Sequence, residues 1–530
     1  MCGIWFYLGK AVDKSGVKAL EARGPEGTQI HDISGVGTLG FTRLAINGLN
    51  DAGMQPMHFG QITWVCNGEI YNWRALAEEY GLVNTSGSDC EILGELYDTF
   101  CDLDIPLDGF FRALDGVFAM VIVDQKRGRV VVGRDPYGVR PLYCGFYDEA
   151  LVFGSEMKSL PPTDDILAVC PGYYHTIDIA TKYSNLFQYH AIPFLKNPLY
   201  TDNIELAMMA VRESLTAAVR KRLMTERPVA ALLSGGVDSS LIAALVAREL
   251  VAARAPPLHT FSIGMKGSAD LMYAQRVASW IGSIHHEIVM TPEEFFAAVP
   301  QVIHDIESYD TTTVRASVGN WLVAKAVAET DCKVVFNGDG ADEVWGSYLY
   351  FYGAPSDHAF EEESRRLLRD IHMFDVLRSD RSISSHGLEP RTPFLDKQFV
   401  GVAQSVATAL RRPQKHGRCE KWLMRKAFDT GELLPQEVLW RRKEAFSDGV
   451  SGVEKSWYQI TQEMALAAVG DWAEKSMRLY GPDGPKTAEQ YYYRSLYDRH
   501  YSGITTNVPY LWMPRWSTAT DPSARTLATY

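Results

Sequence analysis

Up to Ile192 the apolar positions come in short runs broken by Gly, Asp and Asn. They fall at Thr38–Leu44, Ile62–Val65, Phe118–Asp124, Arg129–Gly133, Leu142–Gly145 and Leu151–Gly154. β-Branched and aromatic residues dominate these runs, which predicts strands. Asn72–Tyr80 and Cys90–Thr99 carry helical spacing instead. The first part of the chain therefore reads as a mixed α+β sheet domain. Ile192-Pro193-Phe194-Leu195-Lys196-Asn197-Pro198 holds two prolines and resists regular structure. We place a domain boundary there, giving domains 1–192 and 193–530. The pattern then changes. Glu205–Leu223 is an amphipathic helix, Val229–Leu233 a short buried strand, and Ser240–Leu250 a helix. Leu258–Ile263 and Val334–Phe336 are further strands. Strands alternating with helices predict a parallel α/β sheet. Beyond residue 355 the chain reads as mostly helical.

Composition narrows the class. With 530 residues the chain is too long for one hydrophobic core. A hydrophobic content of 46% is ordinary for a globular protein, and no apolar run is long enough for a membrane span. The net charge of −13 disfavours sequence-independent nucleic-acid binding, which needs cations to replace phosphate counterions. Eight cysteines without disulfide spacing suit a reducing compartment, and the His and Cys residues form no metal-ligand spacing. His285-His286 reads as structural.

Candidate chemistry begins at Met1-Cys2-Gly3. Removal of Met1 would give Cys2 a free α-amine beside its thiol. Such groups titrate at about 7.7–8.0 and 8.5, so the amine is matched to take the proton from the sulfur. Three further segments suit a small amide such as glutamine. Arg43, followed by Leu44-Ala45-Ile46-Asn47, suits an α-carboxylate by bidentate pairing. Asp89, after Ser86-Gly87-Ser88, suits an α-ammonium. Asn67-Gly68-Glu69 follows an apolar run; the Asn67 side chain and the Gly68 N–H suit an oxyanion hole, although Asn-Gly also reads as an ordinary turn pair. Gly35-Val36-Gly37-Thr38-Leu39-Gly40 matches a dinucleotide fingerprint in letters, but it runs into a strand and not a helix, so we reject it.

A second set lies in the α/β part. Leu233-Ser234-Gly235-Gly236-Val237-Asp238-Ser239-Ser240 follows a strand and opens a helix. Its glycines allow an anion nest, the helix N-terminus adds positive potential, and Asp238 offers a carboxylate to Mg²⁺ beside phosphates. Asn337-Gly338-Asp339-Gly340-Ala341-Asp342-Glu343 follows another strand and reads as a metal or substrate loop, or as a solvated acidic loop. Arg441–Gly449 gathers cations able to neutralise a triphosphate, or forms an exposed basic turn.

These motifs, with Arg23-Gly24-Pro25, Gly133–Leu142, Thr312–Ser317 and Arg391–Asp396, resemble the glutamine-hydrolysing asparagine synthetases over essentially the whole chain. The resemblance implies an N-terminal-nucleophile αββα sandwich followed by an adenine-nucleotide α-hydrolase-like α/β domain with a helical end. It implies glutamine, aspartate and ATP as substrates, Mg²⁺, a cytoplasmic setting and a homodimer. Cys2 would be the nucleophile. Arg43, Leu44, Ala45, Ile46, Asn47, Asn67, Gly68, Glu69 and Asp89 would surround glutamine. Leu233, Ile263, Asn337 and Gly338 would meet adenosine, and Ser234, Gly235, Gly236, Asp238 and Ser239 the pyrophosphate. Asp238 and Asp342 would be metal ligands. Thr312, Arg315 and Lys443 would lie near aspartate and its acyl-adenylate. Four positions depart from the family pattern: Asp339 stands for the usual Glu, Asn337 for Ser, Glu26 for Asp and Asn47 for an aliphatic residue. The alternatives are an amidotransferase acting on another carboxylate and a weakly catalytic nucleotide-binding relative.

Overall fold

A computed structural model describes residues 1–9, 13–148, 150–163, 166–412, 419–444, 446–452 and 455–527. Ala445, within the basic segment Arg441–Gly449, lies outside the described residues. The chain forms two compact units. The first comprises Met1–Ile192 with Met224–Pro228 and Ser384–Glu389, and the second the remaining three segments.

The first unit stacks two antiparallel sheets of six strands. In one, the order is β10 (Leu167–Ala168), β8 (Tyr143–Tyr147), β9 (Ala150–Gly154), β1 (Gly3–Leu8), β3 (Gly37–Arg43) and β2 (Gly27–Ile33). In the other it is β12 (Ser184–Gln188), β11 (Tyr173–Asp178), β7 (Arg129–Arg134), β6 (Gly116–Asp124), β5 (Ile62–Ile70) and β4 (Met57–Phe59). The reason for a sandwich is legible on β6. Successive side chains point to opposite faces. Ala119, Val121 and Val123 pack between the sheets with Ile4, Phe6, Leu39, Phe41 and Phe153. Phe118, Met120 and Ile122 pack on the other side with Leu96, Tyr97, Phe100, Phe110 and Phe111, from the helices Leu93–Asp102 and Leu107–Ala113. Burying each such side chain is worth roughly 1.5–3 kcal/mol, so both faces of β6 are strongly fixed. On the outer face of the first sheet Trp5, Tyr7 and Val152 are buried. The short helix Ser15–Lys18 sets Val17 over Gly40, and Trp5 Nε1 donates to Ser159 O at 3.0 Å.

The second unit carries a sheet in the order β15 (Ile284–Val289), β14 (His259–Gly264), β13 (Val229–Leu232), β16 (Val334–Phe336) and β17 (Glu389–Arg391). β13 pairs in parallel with β14 and β16, and β14 in parallel with β15. The chain runs outward from β13 through β14 to β15, then returns to the other side of β13. Strand order reverses between β13 and β16, which opens a crevice at their carboxyl ends.

Two expectations are corrected. β5 does not stop at Val65; it continues through Cys66 to Ile70, with Asn67 opposite Ala119 and Gly68 opposite Phe118. Cross-strand pairing overrides the turn signal of Asn-Gly. The helix after β13 begins at Val237, earlier than the predicted Ser240, because Gly236 is its extended N-cap (φ −72°, ψ 157°). Gly37–Gly40 lie in β3, so the fingerprint match is indeed spurious. His285 bonds to Thr260 and Ser262 between strands, a structural role. No helix among the described residues is long and apolar enough to cross a membrane, and all eight cysteines are unpaired.

Candidate active sites

The first site is assembled in the first unit from the start of β1, the end of β3, the end of β5 and the turn before helix Leu93–Asp102. β1 pairs with β3, with Gly3 opposite Thr42, so Cys2 sits beside the segment after Arg43. The Cys2 Sγ donates to Leu44 O at 3.6 Å. Leu44, Ala45 and Ile46 are buried. Glu26 Oε2 accepts from Ala45 N at 2.7 Å, which gives the longer acid at that position a structural task. Asn47 Nδ2 donates to Glu69 Oε2 at 2.7 Å. This bond explains a polar residue at position 47: it ties the loop after β3 to the end of β5. Asp89 Oδ2 accepts from Ile70 N at 2.6 Å, bringing the third segment to the same strand end.

One group in this site lacks the partners that burial demands, and a second has no counter-charge. Asn67 is 0% exposed, and neither its Nδ2 nor its Oδ1 has a hydrogen-bond partner. An unsatisfied buried amide costs about 1–3 kcal/mol unless something fills the place. Arg43 is 8% exposed. Its guanidinium donates to Asn50 O at 2.8 Å and to Gly48 O at 2.5 Å, yet no carboxylate of the described residues pairs with it. A buried cation without a carboxylate and an unsatisfied buried amide are donors suited to a ligand with a carboxylate and a carbonyl. Burial pushes the Cys2 thiol up to about 11, and burial pulls the Met1 ammonium down to about 5.

The second site is a cavity at the carboxyl ends of β13, β14 and β16. Leu233, Ser234, Gly236, Asp238 and Ser239 line it from the β13 turn, and Ile263 from β14. Asn337, Gly338, Asp339 and Asp342 line it from the loop after β16, with Thr312 and Lys443. The β13 turn is a closed nest. Ser234 N donates to Ser239 Oγ at 3.1 Å, and Gly236 N to Ser234 Oγ at 3.3 Å. Gly235 holds φ +72°, and a Cβ there would lie 2.4 Å from Tyr273 Cβ. Gly338 passes so close that a Cβ would lie 2.8 Å from Ser239 N. The helix Val237–Ala252 therefore aims its N-terminus at the cavity between two backbone turns.

Two of the expected residues do not line this cavity. Gly235 shapes the turn without facing it. Arg315 is buried in a network with Glu489 at 2.5 Å and Asp521 at 2.7 Å. Its fork is filled by carboxylates of the helical end, so it braces that end and has little left for substrate.

Residues missed in the sequence are also here. Lys421, 2% exposed, places Nζ 2.5 Å from Asp238 Oδ2 and 2.6 Å from Asp342 Oδ1. Lys443 Nζ lies 2.6 Å from Asp342 Oδ2. Burial works to raise the Asp342 carboxyl, but Lys421 and Lys443 overcome it and hold it well below the ordinary carboxylate range. Glu420-Lys421-Trp422 carries no local signature, so only the fold reveals it. Tyr348 donates to Glu343 and, at 3.2 Å, to Asp375 Oδ2. The acidic loop is thus not solvated: each carboxylate has a cation or a hydroxyl.

Mg²⁺ needs only one or two carboxylates when phosphates and waters supply the rest. Asp238 and Asp342 converge on one cationic point, now the Lys421 ammonium, and Asp238 Oδ1 is buried without a partner. This pair fits a magnesium ion arriving with a nucleotide. Among the described residues no cluster of three or more His, Cys, Asp or Glu forms a self-sufficient metal cage.

Comparison with known proteins gives the family. Residues 1–172 match the glutamine amidotransferase domain family, and residues 210–358 and 353–520 match the asparagine synthase family. The chain is 39% identical to the glutamine-hydrolysing asparagine synthetase of Gallus gallus, covering 100% of this chain and 99% of that protein. It is 40% identical to those of Homo sapiens and Bos taurus with the same coverage. The chain belongs to the glutamine-hydrolysing asparagine synthetase family.

Proposed function

We propose that this protein makes asparagine from aspartate and ATP with ammonia taken from glutamine, residues 1–192 acting as the amidotransferase and 193–530 as the synthetase. The observation that carries the reading is the unsatisfied buried Asn67 amide and the buried Arg43 without a carboxylate, together with the cavity lined from the turn Ser234–Ser239.

Once Met1 is removed, the Cys2 amine takes the thiol proton and Sγ attacks the glutamine amide carbon. Asn67 Nδ2 and the Gly68 N–H bind the oxyanion, a contribution of about 3 kcal/mol per donor. The amine returns the proton to the leaving nitrogen, ammonia departs, and water hydrolyses the thioester. Arg43 holds the substrate carboxylate and Asp89 the ammonium. In the second unit Leu233 and Ile263 enclose the adenosine, with Asn337 and Gly338 at its edge. Ser234, Gly236 and Ser239 cradle the phosphates, on the turn that Gly235 shapes. Asp238 and Asp342 would hold Mg²⁺, which when bound neutralises phosphate charge. Lys443 and Thr312 face the reacting carboxylate. The side-chain carboxylate of aspartate attacks the α-phosphorus, pyrophosphate leaves, and a mixed anhydride results. Ammonia adds to its carbonyl carbon, a C–O bond breaks, AMP leaves with that electron pair, and Asp339 accepts the surplus nitrogen proton.

Unpaired cysteines support a reducing, cytoplasmic setting. The acidic charge supports small-molecule substrates without a nucleic-acid partner, and the family resemblance supports a homodimer. The test is product identity. Protein given aspartate, ammonium and ATP is expected to release asparagine, AMP and pyrophosphate in equal amounts; ADP and phosphate as the nucleotide products would overturn the reading.

A further inference from the structure

Asp339 is a short acid in a wide cavity, and its placement needs an explanation. Its Oδ2 is buried without a hydrogen-bond partner and its residue lines the cavity wall. Its Oδ1 accepts from Arg378 Nη2 at 2.9 Å. The same nitrogen donates to Asp375 Oδ1 at 2.9 Å, so the guanidinium is itself tethered. The next residue, Ser379, accepts from Asn337 Nδ2 at 2.7 Å. Asn337 Oδ1 in turn accepts from Asp339 N at 3.3 Å. One turn of the helix Asp375–Ser384 therefore grips the loop after β16 twice, once through the side chain of Asp339 and once through Asn337, which holds its backbone.

We infer that Arg378 and Ser379 are positioning residues that set the Asp339 carboxylate for the synthetase step, with Oδ1 anchored and Oδ2 presented to the reacting centre. The inference rests on the proposed function and names how its proton acceptor is held. A carboxylate with both oxygens bonded to Arg378 would be a poor acceptor; a carboxylate with neither bonded would rotate. One anchored oxygen fixes the plane of the group and leaves the other oxygen's lone pairs for the nitrogen proton. Asn337 fits the same logic. Its amide spans from Ser379 to the Asp339 N–H, a reach that a hydroxyl at position 337 lacks.

The experiment is a double-mutant cycle on ammonium-dependent synthesis, using the full chain. Asp339→Asn, Arg378→Ala and the combined variant are measured with Arg378→Lys and Ser379→Ala, and folding is checked by thermal melting. Misplacing a reacting group costs about 100-fold, so Arg378→Ala is expected to lower kcat by that order while KM for ATP stays near that of wild type. Arg378→Lys is expected to recover part of the loss, and Ser379→Ala to show a smaller one. The combined variant is expected to be no slower than Asp339→Asn, because the brace has nothing left to position. Losses that multiply in the combined variant, or a loss confined to KM for ATP, would overturn the inference. Where Arg378→Ala does not fold, Arg378→Lys and Ser379→Ala complete the cycle with Asp339→Asn. Wild-type protein that makes no asparagine would contradict the proposed function instead. The brace is then judged by crystal structures of wild type and Arg378→Lys, in which an Asp339 carboxylate of unchanged orientation would overturn it.

Discussion

Single side chains carry most of the chemistry, and their settings explain why they wait. With Met1 attached, the Cys2 thiol is neutral below about 11, and the buried amine beside it has no second role. Protein prepared with Met1 retained is expected to lack glutaminase activity. Its Cys2 is expected to react with iodoacetamide only as pH climbs from 9 toward 11, since the thiolate is the nucleophile. Fast alkylation at pH 7, followed by mass spectrometry, would contradict this setting. Asp342 gives a second test. Lys421 and Lys443 hold its folded carboxyl below the ordinary value of about 3.9, so the stability it supplies is present above that pH. That stability is lost as pH falls through the folded value. Asp342→Asn is expected to melt at a lower temperature than wild type at pH 7, because Lys443 loses its carboxylate partner and Lys421 keeps only Asp238. The gap is expected to narrow below about pH 4. A gap that is constant with pH would mean the ion pairs contribute nothing. At this scale the sequence was informative where chemistry is local. Cys2, Asp238 and the Ser-Gly turn announce themselves by neighbours. Lys421 and Arg378 do not, because their partners lie 183 and 39 residues away in the chain. The Arg315 network is hidden for the same reason: Glu489 and Asp521 are remote in the chain.

Elements turn these side chains into sites. β6 is readable as an unbroken run of β-branched and aromatic residues, whereas β5 runs on past its apolar stretch. Asn67-Gly68 has turn chemistry, and only pairing with Ala119 and Phe118 keeps it extended. That pairing is what turns the Asn67 amide into a fixed, unsatisfied donor. The nest at the start of helix Val237–Ala252 depends likewise on backbone that a side chain would spoil. Gly235→Ala is expected to strain the turn by roughly 1–3 kcal/mol, given φ +72° and the 2.4 Å approach to Tyr273 Cβ. By calorimetry ATP affinity is expected to drop about tenfold or more, since each 1.4 kcal/mol is a factor of ten. Unchanged affinity would mean that the turn does not hold the phosphates.

On the scale of the whole molecule, two units hold two chemistries. The change from short broken runs to strand–helix alternation was visible in the sequence. The return of Met224–Pro228 and Ser384–Glu389 to the first unit was not, because short segments without periodicity carry no address. These returns are used: Gly48 N donates to Glu226 Oε1 at 2.7 Å, and Arg227 Nη2 meets Glu26 Oε1 at 2.8 Å. The loop after β3 is thus braced by residues far along the chain. The central claim is that nitrogen released by Cys2 is the nitrogen that ends in asparagine. It is tested most directly by supplying glutamine labelled with ¹⁵N at the amide, with aspartate and ATP, to wild type and to Cys2→Ala, and weighing the asparagine formed. The account predicts labelled asparagine from wild type, none from Cys2→Ala, and unlabelled asparagine from Cys2→Ala once ammonium is added. Labelled asparagine from Cys2→Ala would contradict it.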